Sequence, residues 1–113
     1  MPREPKAYLH DMREAAALIA AFTEGLDFDA YAADAMVRAA VERQFEIIGE
    51  ALGQLVKVDP DAADRISEHR RIIAFRNILV HQYDALDYES AWQVIQDDLP
   101  RLVSEIDAIL GDK

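Results

Sequence analysis

The chain predicts an all-α protein, an antiparallel bundle of four main helices. Three observations carry that expectation: apolar residues recur at helical spacing in four segments, short breaks separate the segments, and no stretch alternates with the period of a strand. At 113 residues there is material for one hydrophobic core and not for two, so residues 1–113 are read as one domain.

The first helix is expected from about Ala7 to Thr23, with Leu9, Met12, Ala16, Ile19 and Phe22 on one stripe and the Gly25 region ending it. The second follows a break over Asp29–Asp34 and runs to about Lys57. Val37, Val41, Phe45, Ile48, Leu52 and Leu55 line one side, and its length suits the long arm of a bundle. Gly49 and Gly53 lie four apart inside it, where each costs about 1 kcal/mol relative to Ala. Close approach of a neighbouring backbone is the expected compensation, and access for a ligand is the alternative.

Asp59-Pro60 marks the next start, with Asp as N-cap and Pro at the first helical position. This third segment carries a basic stretch, and an irregularity between Asp64 and Arg70 is expected to leave a kink or an extra short helix within Asp59–Arg70. Asp84 to Asp87 forms another break, with Asp87 as N-cap. The fourth segment spaces Tyr88, Trp92, Ile95, Leu99, Leu102, Ile106 and Ile109 by alternating fours and threes. Pro100 should kink or split that helix. Tyr88 and Trp92 read as core or interface aromatics.

Hydrophobic residues make up 51% and charged residues 30%, a globular balance that excludes a disordered tail. No apolar run approaches the length of a membrane span and no signal peptide opens the chain, so a soluble, cytoplasmic protein is expected. Cysteine is absent, which removes disulfides, thiol nucleophiles and thiolate metal sites. His10, His69 and His81 do not stand at metal-ligand spacing with carboxylates, and neither a metal nor another cofactor is expected.

The net charge of −10 argues against broad nucleic-acid binding, which depends on phosphate neutralisation by Lys and Arg. A local exception lies between Arg65 and His81, where Arg65, Arg70, Arg71, Arg76, His69 and His81 face the single acid Glu68. Such an island attracts phosphate locally, or it is a solvated basic face.

Within it, residues 76–83 read Arg-Asn-Ile-Leu-Val-His-Gln-Tyr. At about 100° per residue, Ile72, Ile73, Phe75, Ile78, Leu79 and Val80 surround Arg76 with an apolar arc, while Asn77 and His81 fall outside it. Burying an unpaired guanidinium costs several kcal/mol, so Arg76 must meet a carboxylate, face a shared cleft or await an anion. Glu46 and Glu50 are candidate partners, or two solvated acids. Arg76 and His81 are turned about 140° apart on an unbroken helix, whereas Asn77 and His81 share a face. Serving one reaction therefore requires a distortion near His81 or a second copy of the chain. A histidine that moves protons near neutral pH and an arginine fork that grips phosphate suit phosphodiester cleavage without metal. The bland alternative for His81 is an interaction with the helix dipole, and for Tyr83 an interfacial aromatic.

Arg76 to Tyr83 resembles the R-N-x-x-x-H-x-Y signature of HEPN-domain ribonuclease toxins of the HepT-like group. The resemblance extends to Tyr8-Leu9-His10-Asp11-Met12, Glu46-Ile47-Ile48-Gly49-Glu50-Ala51 and Asp98-Leu99-Pro100-Arg101-Leu102, in the family's order. Glu68-His69 replaces the Pro-Trp that often precedes the third helix, and Ala74 stands where Gly is frequent.

The resemblance implies a HEPN-like bundle that forms a homodimer, with Arg76 and His81 catalytic in a cleft between protomers. It also implies a nucleotidyltransferase antitoxin that transfers AMP from ATP to Tyr83. The expected protein is thus a metal-independent endoribonuclease, the toxin of a type VII-like toxin–antitoxin pair, with Asn77 supporting the site and Arg70 and Arg71 contacting RNA. Tyr83 lies about two turns beyond Arg76, so an AMP ester there would set a bulky anion beside the phosphate-binding groups. One rival is a non-catalytic helical subunit that binds substrate or nucleotide for a nucleotidyltransferase. Another is a purely structural dimer in which Arg76 pairs with Glu46 or Glu50.

Overall fold

Caps and prolines place the helix boundaries in the computed structural model, which describes residues 3–81 and 87–112, with the backbone alone for Val80 and His81. Helix α1 (Pro5–Thr23) starts on a proline, whose missing N–H would be unbonded there anyway, and ends before Gly25 at φ 77°. The expected break before the long helix instead contains α2 (Phe28–Ala33). Asp27 starts it by accepting from the Ala30 N–H at 2.8 Å, and fully buried Tyr31 anchors it. Asp34 closes α2 and opens α3 (Ala35–Val58), accepting from the Val37 N–H at 3.1 Å.

Asp59 caps α4 (Pro60–Asp64) through the Ala62 N–H at 3.1 Å. The irregularity expected after Asp64 is a turn in which Glu68 takes φ 63°, a left-handed conformation uncommon outside glycine. Helix α5 (His69–His81) follows it. Asp87 then caps α6 (Tyr88–Gln93), accepting from the Glu89 N–H at 3.0 Å. The rest of the expected break, from Asp84, lies outside the described residues.

The disturbance expected near Pro100 is present: the segment opens with the short α6 and changes its winding just before the proline. A π-helical turn over Val94–Asp98 precedes it, and α7 (Leu99–Asp112) resumes directly. The Leu99 N–H donates to the Val94 carbonyl five residues back, a wider turn just before a residue that has no N–H for its own helical bond.

Long helices α1 and α3 pack along each other and α7 closes on α1. Leu9, Met12 and Ile19 meet Ile48, Leu52 and Leu55 and Leu102, Ile106 and Ile109 in one core. Two stripe residues lie outside it, Phe22 at the surface near the end of α1 and Tyr88 at the start of α6. Helix α5 lies against α3, where Phe75 meets Phe45 edge to face at 5.0 Å. Its Ile72, Ile73, Phe75 and Ile78 are only half-buried while Leu79 is buried. This chain therefore covers one side of the apolar arc and leaves the rest accessible. Among the described residues, no helix is long and apolar enough to cross a membrane.

Candidate active site

Arg76 reaches α3 at Gly49. A Cβ on Gly49 would stand 2.5 Å from Arg76 Cγ and closer still to Arg76 Cβ, so the arginine stem lies flat on the α3 backbone where no other residue type fits. That close approach accounts for one of the two glycines inside the helix.

The guanidinium beyond the stem is only partly neutralised. Nη2 lies 3.7 Å from Glu50 Oε2, and Nη1 donates to Asn77 Oδ1 at 3.3 Å. Nε is buried and has no hydrogen-bond partner among the described residues. Glu50 is 67% exposed against 26% for Arg76, so water screens the pair and its stabilisation is at most about 1 kcal/mol. Glu46 does not compete, since it accepts from Arg43 at 3.3 Å. Arg76 thus combines a desolvated stem, an unpaired donor and a loosely held carboxylate, an arrangement that an incoming anion can improve.

A groove of about 210 Å³ opens beside it, walled by Glu50, Gln54 and Lys57 of α3 and by Ile73, Arg76 and Asn77 of α5, with Gly49 and Gly53 as its floor. Lys57 and Gln54 carried no signal of function in the sequence. Lys57 stands four beyond Gly53, itself four beyond Gly49, a pattern that could have placed it on this face, and Gln54 stands four beyond Glu50.

His81 is the last residue of α5, and its backbone is helical. The helix is unbroken from His69, so positions 76 and 81 are turned about 140° apart around its axis, and no distortion before His81 brings them together. The imidazole of His81 and the whole of Tyr83 lie outside the described residues.

The basic island divides on inspection. Arg65 pairs with Asp112 at 2.7 Å, and Arg71 lies 3.7 Å from Asp98, a buried acid that Arg101 also meets at 3.4 Å. His69 Nδ1 is 3.2 Å from the Ile66 carbonyl. Arg70 is exposed and makes no ion pair or hydrogen bond among the described residues. Only part of the island is therefore free to meet phosphate.

Two buried ionisable groups, Tyr31 of α2 and Glu42 of α3, sit away from this groove. Burial pushes the Tyr31 hydroxyl up to about 12, with the Glu42 charge adding to the shift. Burial also raises the Glu42 carboxyl above its ordinary value, against the pull of Arg38. Arg38 stacks over the Tyr88 ring at 4.4 Å and donates to the Ala32 carbonyl, which ties α3 to both short helices. Among the described residues, no group of three His, Asp or Glu stands where it could hold a metal ion.

An all-α bundle with an arginine laid over a helix glycine and a histidine five residues on belongs with the HEPN-type ribonucleases. The chain is a member of the family described as Ribonuclease HepT-like, whose model matches residues 12–109. It is 31% identical over 109 residues to a Methanocaldococcus jannaschii protein named "Putative RNase MJ1380", covering 95% of this chain and 97% of that one. It is also 31% identical over 112 residues to a Thermococcus cleftensis protein named "Probable ribonuclease HepT", covering 96% and 98%. A Caldanaerobacter subterraneus protein named "Putative RNase TTE0752" is 26% identical over 108 residues, 96% of each chain. No solved structure matches the chain.

Proposed function

We propose that this chain is a metal-independent endoribonuclease that works as a cytoplasmic homodimer and is the toxin of a type VII-like toxin–antitoxin pair. The observation that carries the reading is Arg76, held at a groove with a screened contact to Glu50, a hydrogen bond to Asn77 and a buried Nε that has no hydrogen-bond partner among the described residues. Membership of a ribonuclease family supplies the substrate class.

Arg76 grips the scissile phosphate and stabilises the charge that develops on it. His81 is the general acid or base. A ribose 2′-hydroxyl loses its proton and attacks the adjacent phosphorus, the bond to the 5′-oxygen breaks, and that oxygen leaves with a proton. The products are a 2′,3′-cyclic phosphate end and a 5′-hydroxyl end. Asn77, bonded to Nη1, holds the guanidinium plane in orientation. The helical path through His81 supports a site completed by a second copy, with the half-covered apolar arc of α5 as part of the contact. Arg70, which makes no ion pair or hydrogen bond among the described residues, meets RNA first, and Arg71 does so from its screened contact with Asp98.

Tyr83 is the acceptor through which a nucleotidyltransferase antitoxin silences the enzyme. Its phenolic oxygen attacks the α-phosphorus of ATP, pyrophosphate leaves, and the phenolic proton is released. The resulting phosphodiester anion competes with RNA for the cationic groups.

The test is cleavage of single-stranded RNA in the presence of a chelator. Wild type should give cyclic-phosphate ends, and His81→Ala and Arg76→Ala should each lose activity by about a hundredfold or more while remaining folded by circular dichroism. Full cleavage by either variant overturns its assignment. The net charge of −10 favours the rival reading of a non-catalytic subunit for a nucleotidyltransferase, and wild type that binds nucleotide but yields no products decides for it.

A further inference from the structure

Gly53 sits one turn beyond Gly49 in the middle of α3, where glycine weakens a helix relative to alanine. At Gly49 the Arg76 stem explains the choice; at Gly53 no heavy atom of the described residues does. A Cβ there would meet no heavy atom within 4 Å, and the backbone is not left-handed. Among the described residues neither packing nor conformation requires the missing side chain, and the space it leaves is part of the groove beside Arg76.

The walls identify what the space suits. Gln54 offers an amide that both donates and accepts, and Asn77, whose Oδ1 accepts from Arg76, offers its amide N–H donors, which suit the edge of a base. Lys57 supplies a mobile cation beyond Arg76, and Ile73 supplies an apolar contact for a flat ring. Gln54 and Lys57 make no hydrogen bond or ion pair among the described residues, so both are available to a ligand. At about 210 Å³ the groove is on the scale of a base with part of its sugar. It is too small for a helix, which is about 10 Å across with its side chains.

We infer that the groove over Gly53 is a nucleotide subsite. It takes a nucleotide flanking the scissile phosphate, with Lys57 on that nucleotide's own phosphate and Gln54 and Asn77 at its base. The inference rests on the ribonuclease reading of the same site and adds the residues that hold the flanking nucleotide.

The experiment uses the full chain and two probes: a short mixed-sequence single-stranded RNA for cleavage, and its 2′-O-methyl counterpart, which cannot be cleaved, for binding. Gly53→Leu should keep or raise the melting temperature and raise the Kd for the uncleavable RNA about tenfold or more, with Gly53→Ala in between. Lys57→Gln should weaken binding several-fold and reduce the steepness of log K against log salt by about 0.7, the loss of one phosphate contact on a single strand. Wild-type affinity in both Gly53→Leu and Lys57→Gln, with wild type still cleaving, overturns the subsite and leaves the ribonuclease reading intact. Wild type that binds the RNA through Lys57 and Gly53 but never cleaves it supports the subsite and overturns the ribonuclease reading. A changed association state in Gly53→Leu, measured by sedimentation, makes the groove a contact between copies and overturns the inference.

Discussion

One missing methyl decides how Arg76 lies. The arginine stem occupies the volume a Gly49 side chain would need, so Gly49→Ala forces the stem, α5 or both to move. Overpacking of this kind costs about 1–3 kcal/mol, more than the helix propensity that alanine returns, and urea unfolding should show a lower midpoint with an unchanged slope. RNA cleavage should fall as well, because the guanidinium is re-aimed; a Gly49→Ala protein as stable and active as wild type would refute the close packing. Glu42 is the opposite kind of residue, a carboxyl that the fold holds at a disadvantage. Burial raises its pKa, so the folded state keeps the proton longer than the unfolded chain, and stability falls as pH rises from the ordinary carboxylate value through the raised one. Glu42→Gln should therefore be more stable than wild type at pH 7, and the gap should close below the unperturbed glutamate pKa of about 4.3. Thermal unfolding at both pH values checks this, and an equal gap at each contradicts it.

Element boundaries follow local chemistry, which is why most of them were legible. Asp59-Pro60 and Asp87 cap the helices their sequence positions announced, because a carboxylate accepting a free N–H within three residues needs no help from the rest of the fold. Helix α2 was not legible. Six residues are too few to show a period, and what holds it is Tyr31 entering a core built by other segments and stacking on Trp92 at 5.3 Å. Pro100 announced a disturbance but not its form; the π-helical turn takes up the strain within a continuous helix. Asp34 bears on two elements at once, closing α2 and capping α3. Asp34→Ala should cost about 1 kcal/mol, within a range of roughly 0.5–2, in chemical denaturation. A loss below a few tenths would show that the Val37 N–H finds water as a sufficient substitute.

Across the whole molecule, charge is sorted rather than uniform. The net −10 coexists with an island in which Asp112 and Asp98 already face Arg65 and Arg71, so Arg70 and the screened Arg76 are its less neutralised arginines among the described residues, with Lys57 of α3 beside them across the groove. The unbroken α5 turns positions 76 and 81 about 140° apart around its axis, so in the proposed dimer Arg76 of one protomer would act with His81 of its partner. Mixing inactive Arg76→Ala with inactive His81→Ala tests that directly. Exchange of protomers should restore about a quarter of wild-type cleavage, since half of the dimers become mixed and each mixed dimer contains one intact site. Continued inactivity after verified exchange would place both groups in one chain.

Local pattern alone determined the helical class, the stripes that build the core, the caps and the arginine that has no business in an apolar arc, since each depends on residues a few positions apart. Tertiary structure decided what those residues meet: Glu50 rather than Glu46 beside Arg76, Arg76 against Gly49, and open space over Gly53. Those are contacts between α3 and α5, more than twenty residues apart in sequence. Their geometry is set by how two helices cross, which no periodicity within either helix encodes.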